Sequence, residues 1–282
     1  MMKQLTAHSI HPGARASGAR RPARDRAPAP AATETVDLSL RLLEHLVALR
    51  EPIGVSDLAR AFGTSKTKAY RHVQTLVRHG FVRQDRATRR YEAGIKLFAL
   101  GERLRERFGV LPAAREDMAR LRDETGQAVA LSGLAGDRVV ILELFHGHAI
   151  VEFGTRPGTL LDLHASAHGK VALAFGPEGL LERCLVAGPL KAWTPQTICS
   201  RGALERAVAA VRKRGWATAP NEVLTGVNGL AAPIFDHRGD YAGGIAIAGS
   251  VQHIAATPSP AQIAAVKAAA SNISKKMGWR PQ

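Results

Sequence analysis

Between Ser65 and Thr75 the chain gathers Lys66, Thr67, Lys68, Arg71 and His72 among small and apolar residues. Guanidinium, ammonium, imidazole and hydroxyl groups at helical spacing are the donors that base edges and phosphates of a DNA major groove accept. Arg86, Arg89 and Arg90 follow in a polar stretch, placed to neutralise phosphates or enter a minor groove. Ser56, at the head of an earlier helical segment, joins the same set of candidate DNA contacts. A basic helix face is often only a solvated one, so these residues need a scaffold before they mean recognition.

A second cluster, Asp162, His164 and His168, has the residue types of a metal site. Histidines at i and i+4 share a face only on one continuous helix, and Ser166 caps a new helix after His164. Elsewhere the chain shows no carboxylate pair, nucleophile elbow or phosphate-binding glycine loop. Neither catalysis nor a metal or cofactor is therefore expected.

The elements that would position the basic residues are legible. Leu38, Leu42, Leu43, Leu46 and Leu49 recur at helical spacing and stop at Glu51-Pro52, where proline ends the helix. A second helix opens at Val55-Ser56-Asp57-Leu58, with Ser56 as its expected N-cap, and ends at Gly63. Ser65 caps a third helix that runs from Lys66 to about His79 and closes at Gly80. Ala69, Val73, Leu76 and Val77 face inward on it, whereas Lys68, Arg71, His72, Thr75 and Thr67 lie on the opposite side. Two short helices with a glycine turn, followed by a hairpin around Gln84–Thr88, have the form of a winged helix-turn-helix. The stripe Ile95, Leu97, Phe98, Leu104 and Phe108 between Gly94 and Phe108 suits a dimer seam or packing on its own domain.

Composition agrees with this division. The 282 residues carry a formal charge of +15, and 45% are hydrophobic, enough for real cores. About +11 of that charge falls in residues 1–110, with 21 Lys and Arg against 10 Asp and Glu. Such asymmetry points to a basic, polyanion-binding module joined to a near-neutral one. Residues 1–32 lack the apolar core of a secretory signal and have the Arg-rich make-up of a transit peptide or, preferably, of a disordered basic tail. Cys184 and Cys199 are too few for a disulfide framework and read as small buried thiols in a reducing cytoplasm. No apolar run is long enough to span a bilayer, so a cytoplasmic protein without membrane contact is expected.

Beyond Pro112 helix and strand patterns mix. A helix is expected at Ala113–Thr125, and strands at Gln127–Leu134, Arg138–Phe145, Ile150–Phe153, Gly229–Phe235 and Tyr241–Ala248. Helices are expected at Ser166–Phe175, Glu178–Leu185, Gly202–Arg214 and Ser259–Met277. Strands at both ends with helices between suggest an antiparallel sheet enclosing a cavity against a helical layer.

Specific motifs join these observations. They are Gly63-Thr64-Ser65-Lys66-Thr67, Arg71–Gly80, Thr88-Arg89-Arg90-Tyr91, Leu163-His164-Ala165-Ser166-Ala167-His168-Gly169-Lys170, Gly215-Trp216-Ala217 before Glu222, and Gly226–Pro233 followed by Ile234-Phe235-Asp236. In their order and spacing the chain resembles the IclR family of bacterial transcriptional regulators. The resemblance implies an α+β chain with a winged helix-turn-helix DNA-binding domain, a linker helix that dimerises, and a GAF-like antiparallel-sheet effector domain. The corresponding divisions are 1–32, 33–93, 94–111 and 112–282. It implies a regulator, more often a repressor, whose affinity for a double-stranded, palindromic operator responds to a small organic acid, often aromatic. A homodimer or dimer of dimers would carry it.

The same resemblance places an effector pocket at Ile150, Phe153, Leu161, Ser166, Ala167, His168, Ala219, Val227, Gly229, Ala246 and Ala248. Here Ala219, Ala246 and Ala248 stand where some members carry an acid or hydroxyls, which argues against a very small, highly polar effector. His168 at a helix N-terminus could hold a carboxylate together with Ser166, or it could simply satisfy a buried backbone group. An enzyme, and a nonspecific nucleic-acid binder whose affinity vanishes with salt, are the rival classes.

Overall fold

The computed structural model describes residues 33–107, 109–148 and 155–280, in two units that divide between Leu97 and Phe98. The basic tail, Phe108 and the strand expected over Ile150–Phe153 lie outside the described residues.

In the first unit α1 (Glu34–Ala48) buries Leu38, Leu42 and Leu46, one face of the expected leucine stripe. The chain then extends so that Ile53 bridges to Tyr91, and it is still extended at Gly54. The cap of α2 (Val55–Ala61) thus lies two residues earlier than expected. Gly54 is its N-cap, and Ser56 lies exposed in its first turn. Gly63 makes the turn at φ +59°, where a Cβ would be strained. Ser65 caps α3 (Lys66–Arg78) as expected, its Oγ accepting the Lys68 N–H at 3.2 Å. Two short strands, β1 (Val82–Gln84) and β2 (Tyr91–Ala93), pair antiparallel as the wing, which leaves Arg89 and Arg90 in its turn. Leu58, Val73, Leu76, Val82 and Tyr91 close over the α1 leucines to form the core. Across the division runs α4 (Lys96–Arg107), which leaves Phe98 and Leu104 exposed together with Ile95 before it.

The second unit begins with α5 (Val110–Thr125), ended by Gly126 at φ +67°. Among the described residues six strands follow, all antiparallel to their neighbours, in the order β5-β4-β3-β8-β7-β6. They are β3 (Ala128–Ala135), β4 (Arg138–Phe145), β5 (Leu160–Asp162), β6 (Ala217–Thr218), β7 (Val227–Phe235) and β8 (Tyr241–Ser250). Neither β5 nor β6 was expected, because runs of three and two residues carry no readable alternation. Between the two strand groups lie α6 (Ala167–Phe175), α7 (Leu180–Val186) and α8 (Arg201–Arg214). The last element is α9 (Pro260–Lys276), with a full capping box between Ser259 and Gln262.

Period-2 alternation sorts the central strands into two unlike faces. Val129 and Leu131, Leu230, Ala232 and Ile234, and Ile245 and Ile247 pack with Met118, Leu121, Val266 and Ile273 of α5 and α9. The opposite face carries small residues, Ala231 and Ala246 among them, and receives α6 and α8 through Ala167, Val171, Val208 and Val211. Residues 167–174 of α6 are all buried, so this helix is enclosed on every side. Cys184 is half-buried but Cys199 is exposed, contrary to the expectation for both; Cys199 falls in the loop ahead of α8 rather than on a packed face.

The close approach of α6 to β5 rests on Gly169. A Cβ there would overlap the Leu163 carbonyl and Cα and the Asp162 carbonyl. Backbone cannot swing aside as a flexible side chain does, so Gly169→Ala is expected to cost about 3 kcal/mol. Urea unfolding followed by circular dichroism reads the change, and an unmoved midpoint would show that α6 can shift freely.

Candidate functional site

The basic face of α3 is narrower than its composition suggests. Lys66, Thr67, Arg71 and Thr75 are exposed along it, with Ser65 at its start. Lys68 is half-buried and ion-paired with Glu34 of α1 at 2.5 Å. Its ammonium, hydrogen-bonded to that carboxylate, holds the Glu34 carboxyl below the usual range. His72, expected on the groove-facing side, is buried, and its Nδ1 stands 2.7 Å from Ser39 Oγ. Burial, then Lys68 and Arg71, push its pKa down. His72 is thus a brace between α1 and α3, because the flank of α3 beside Val73 packs on α1 more broadly than a strict two-sided helix would. Thr75 spends its hydroxyl proton on the Arg71 carbonyl at 3.0 Å, leaving its lone pairs outward.

In the wing Asp85 accepts both the N–H and the hydroxyl of Thr88, at 2.6 and 2.7 Å, and these bonds lower its pKa. Arg89 takes a left-handed conformation, φ +58°, to complete the turn. Arg86, Arg89 and Arg90 are all exposed, but Arg90 donates to the Pro52 carbonyl at 3.1 Å and so ties wing to α1–α2 loop. Arg86 and Arg89 make no ion pair among the described residues. An exposed helix with hydroxyl and guanidinium groups, flanked by two unpaired wing arginines, can dock in a groove and neutralise phosphates.

In the second unit, nine of the eleven nominated pocket residues line one cavity of about 210 Å³: Leu161, Ser166, Ala167, His168, Ala219, Val227, Gly229, Ala246 and Ala248. Ile150 and Phe153 lie outside the described residues. Ala130, Val223, Leu224 and Asn228 also line it and were missed. Ala130 was findable, since it alternates with Val129 and Leu131 on β3. Val223 and Leu224 sit in a loop without pattern.

Two polar groups of the wall differ from expectation. Ser166 Oγ caps α6 by accepting the Gly169 N–H at 2.9 Å, and its proton is spent on the Asp162 carbonyl at 3.0 Å. His168 meets neither a backbone group nor an acid; its Nδ1 lies 2.7 Å from Ser132 Oγ on β3. Burial pushes its pKa down to about 4, so the ring is neutral at physiological pH. No Lys, Arg, Asp or Glu side chain lines the cavity among the described residues. Asp162 and His164 are engaged elsewhere: Asp162 accepts Trp193 Nε1 at 2.8 Å and pairs with Arg138 at 2.8 Å, and His164 Nε2 meets the Lys191 carbonyl at 2.9 Å.

A buried ion pair holds the cavity rim. Lys170 Nζ of α6 bonds Glu222, and it donates to the Thr218 carbonyl at 3.2 Å. Burial lowers the Lys170 pKa and raises that of Glu222, while their mutual attraction opposes both shifts. The same loop is pinned by Thr194 and Thr197, which donate to the Asn221 and Glu222 carbonyls at 2.6 Å each. Asn228 accepts the Ala219 N–H at 3.1 Å and donates to Ile254 and Ala255. These residues are spread over the chain, and only Lys170, Glu222 and Asn228 stand in or beside recognisable motifs.

Two measurements check this description. Lys170→Met leaves Glu222 buried without its cation and is expected to cost about 3–5 kcal/mol, seen as a large fall in urea midpoint. Folded His168 binds a proton less readily than the unfolded chain does, so its contribution leaves stability intact above pH 6.5 and erodes it toward pH 4. The loss between pH 7 and 5 is about 2 kcal/mol from this group. His168→Gln should flatten the wild-type slope by that amount, and identical slopes would show the imidazole to be solvated.

No helix among the described residues is long and apolar enough to cross a membrane. A model of the IclR helix-turn-helix domain matches residues 35–86, and one of the bacterial transcriptional regulator IclR C-terminal region matches residues 104–275. The HTH-type transcriptional regulator BhcR of Paracoccus denitrificans is 30% identical, with 87% of this chain and 88% of that one covered. The glycerol operon regulatory protein of Streptomyces griseus is 30% identical, covering 87% of this chain and 96% of its own. The crystal structure of Thermotoga maritima IclR superposes with a TM-score of 0.65 at 30% identity, covering 87% of this chain and 99% of that chain. Matched in both units and along most of its relatives' length, the chain belongs to the IclR family of bacterial transcriptional regulators.

Proposed function

We propose that the chain is a cytoplasmic repressor whose affinity for a palindromic operator changes when a small organic acid occupies the cavity of the second unit. The observation that carries this reading is the pairing, in one chain, of an exposed basic recognition helix with a half-open, largely apolar cavity walled by a separate unit. Lys66, Thr67, Arg71 and Thr75 face base edges and phosphates, with Ser56, Ser65 and Lys68 at the flanks. Arg86, Arg89 and Arg90 meet the backbone.

The exposed apolar residues Ile95, Phe98 and Leu104 supply a seam for a second copy. A two-fold dimer sets two recognition helices in successive major grooves, and pairing of dimers extends this to a tetramer. The acid's carboxylate lies at the N-terminus of α6, where the first-turn N–H groups of Ala167 and His168 have no partner among the described residues. Its body lies against Leu161, Val227 and Ala246. The ligand acts through its different affinities for two arrangements of the protein, and the operator feels the same coupling in reverse.

Selection of DNA by the full chain at near-physiological salt, with and without pooled aromatic and short-chain acids, tests this. A palindromic site is expected, with occupancy shifted by one acid pool. Arg71→Ala should relax the base preference at one position by about 1–3 kcal/mol. Arg86→Ala should weaken all sequences alike and reduce the salt slope by about 1. Diffuse binding that disappears with salt and ignores every pool would sink the proposal.

A further inference from the structure

The second unit has another hollow, of about 390 Å³, which shares no lining residue with the apolar cavity. It lies along β7 beyond Ala231, where the pairing with β6 stops. That edge is closed to a further strand: Pro233 has no N–H, and the N–H of Phe235 is taken by Ser274 Oγ at 3.0 Å. Arg212, Lys213 and Arg214 line the hollow from the end of α8, and Lys267 from the middle of α9. No Asp or Glu side chain lines it, and none of the four cations has an ion-pair partner among the described residues.

The end of a helix attracts cations, but it offsets only about half a charge against the four gathered here. Two of the four are held in place. Arg212 Nε donates to the Ala174 carbonyl at 2.9 Å, and Arg214 Nε to the Trp216 carbonyl at 2.7 Å. The Arg214 guanidinium also lies 3.8 Å from the centre of the Trp216 ring, and burial pushes its pKa down. Lys213 and Lys267 are exposed, with ammonium groups that have no hydrogen bond among the described residues. Rings line the hollow as well: Phe235 packs edge-on to Phe175 at 5.7 Å and tilted to Trp279 at 5.5 Å. The Trp279 indole N–H has no partner among the described residues, whereas the Ser274 proton is spent on the Ala270 carbonyl at 2.7 Å. The side chains therefore offer positive charge, N–H donors and ring faces, and no negative acceptor.

We propose that this hollow is a second ligand site, separate from the apolar cavity, for a flat ring that carries a phosphate, as a nucleoside monophosphate does. A phosphate brings a charge of about −1.5 to −2 at neutral pH and three acceptor oxygens. It thus balances more of the four cations than a carboxylate would, and its oxygens suit the fork of a guanidinium. The ring stacks on Trp279, an interaction that tolerates any base because every base has a flat face. A cavity of about 150 Å³ holds benzene, so one of about 390 Å³ has room for a ring system together with its phosphate.

Calorimetric titration of the full chain with adenosine monophosphate, adenosine and inorganic phosphate tests the assignment. The monophosphate should saturate one site and bind roughly 10-fold or more tightly than either of its parts. Lys213→Gln combined with Lys267→Gln should weaken it roughly 10-fold without moving the urea midpoint, since both lysines are exposed. Trp279→Leu should remove its advantage over inorganic phosphate and the quenching of tryptophan fluorescence that accompanies binding, and Trp279→Phe should restore part of that advantage. Arg86→Ala in the wing should leave the titration unchanged, which separates this site from the DNA-binding face. Equal affinity for the monophosphate and inorganic phosphate, or no saturable binding of either, overturns the proposal. So does loss of nucleotide binding in Arg86→Ala, or a lysine pair whose replacement weakens DNA binding and leaves nucleotide binding intact.

Discussion

In an extended strand neighbouring side chains leave opposite faces, and β3, β7 and β8 exploit this by putting large residues on one side and small ones on the other. Val129, Leu131, Leu230, Ile234, Ile245 and Ile247 weld the sheet to α5 and α9. Ala130, Gly229, Ala246 and Ala248 leave room on the far side, and that room is the cavity. Interior packing tolerates few voids, so a cavity needs rigid walls and a stiff sheet behind it. The well-packed face provides that stiffness, which is why cavity and core belong to the same three strands.

Around this space the polar groups are fixed by one another rather than by solvent. Ser166 spends its hydroxyl on the first turn of α6, Ser132 fixes His168, and Lys170 reaches from the next turn to Glu222 and Thr218. Low dielectric strengthens each paired contact and makes each unpaired one costly. The rim loop is therefore held to the same helix that presents His168 to the cavity. A ligand that alters the position of α6 must also alter the loop through the Lys170–Glu222 pair.

The DNA-binding unit shows the opposite economy. Its core is a few leucines, Val73, Val82 and Tyr91, and the polar residues at the edge of α3 are divided between bracing and display. His72 and Lys68 bond to α1, and Arg90 bonds to the Pro52 carbonyl. Arg71, Thr67, Lys66, Arg86 and Arg89 remain outward. The outward groups of α3 and the groups that steady the helix come from one short segment, so a substitution there can act through stability as well as through display.

Local periodicity and capping were enough to locate most helices and the main strands, since those signals depend only on residues a few positions apart. Ser65 as a cap, the wing turn, the long strands and both units follow from such spacing and from motifs carried in order. Tertiary packing alone decided the rest. Whether His72 faces DNA or Ser39 depends on where α1 lies. Whether His168 is a charged anchor or a neutral, serine-bound ring depends on a strand 36 residues away. The pairs of β5 and β6, and the choice of Gly54 over Ser56 as a cap, arise from partners that no window of neighbouring residues contains. Burial sets protonation and hydrogen bonds choose tautomers, and both are properties of what the folded chain brings together.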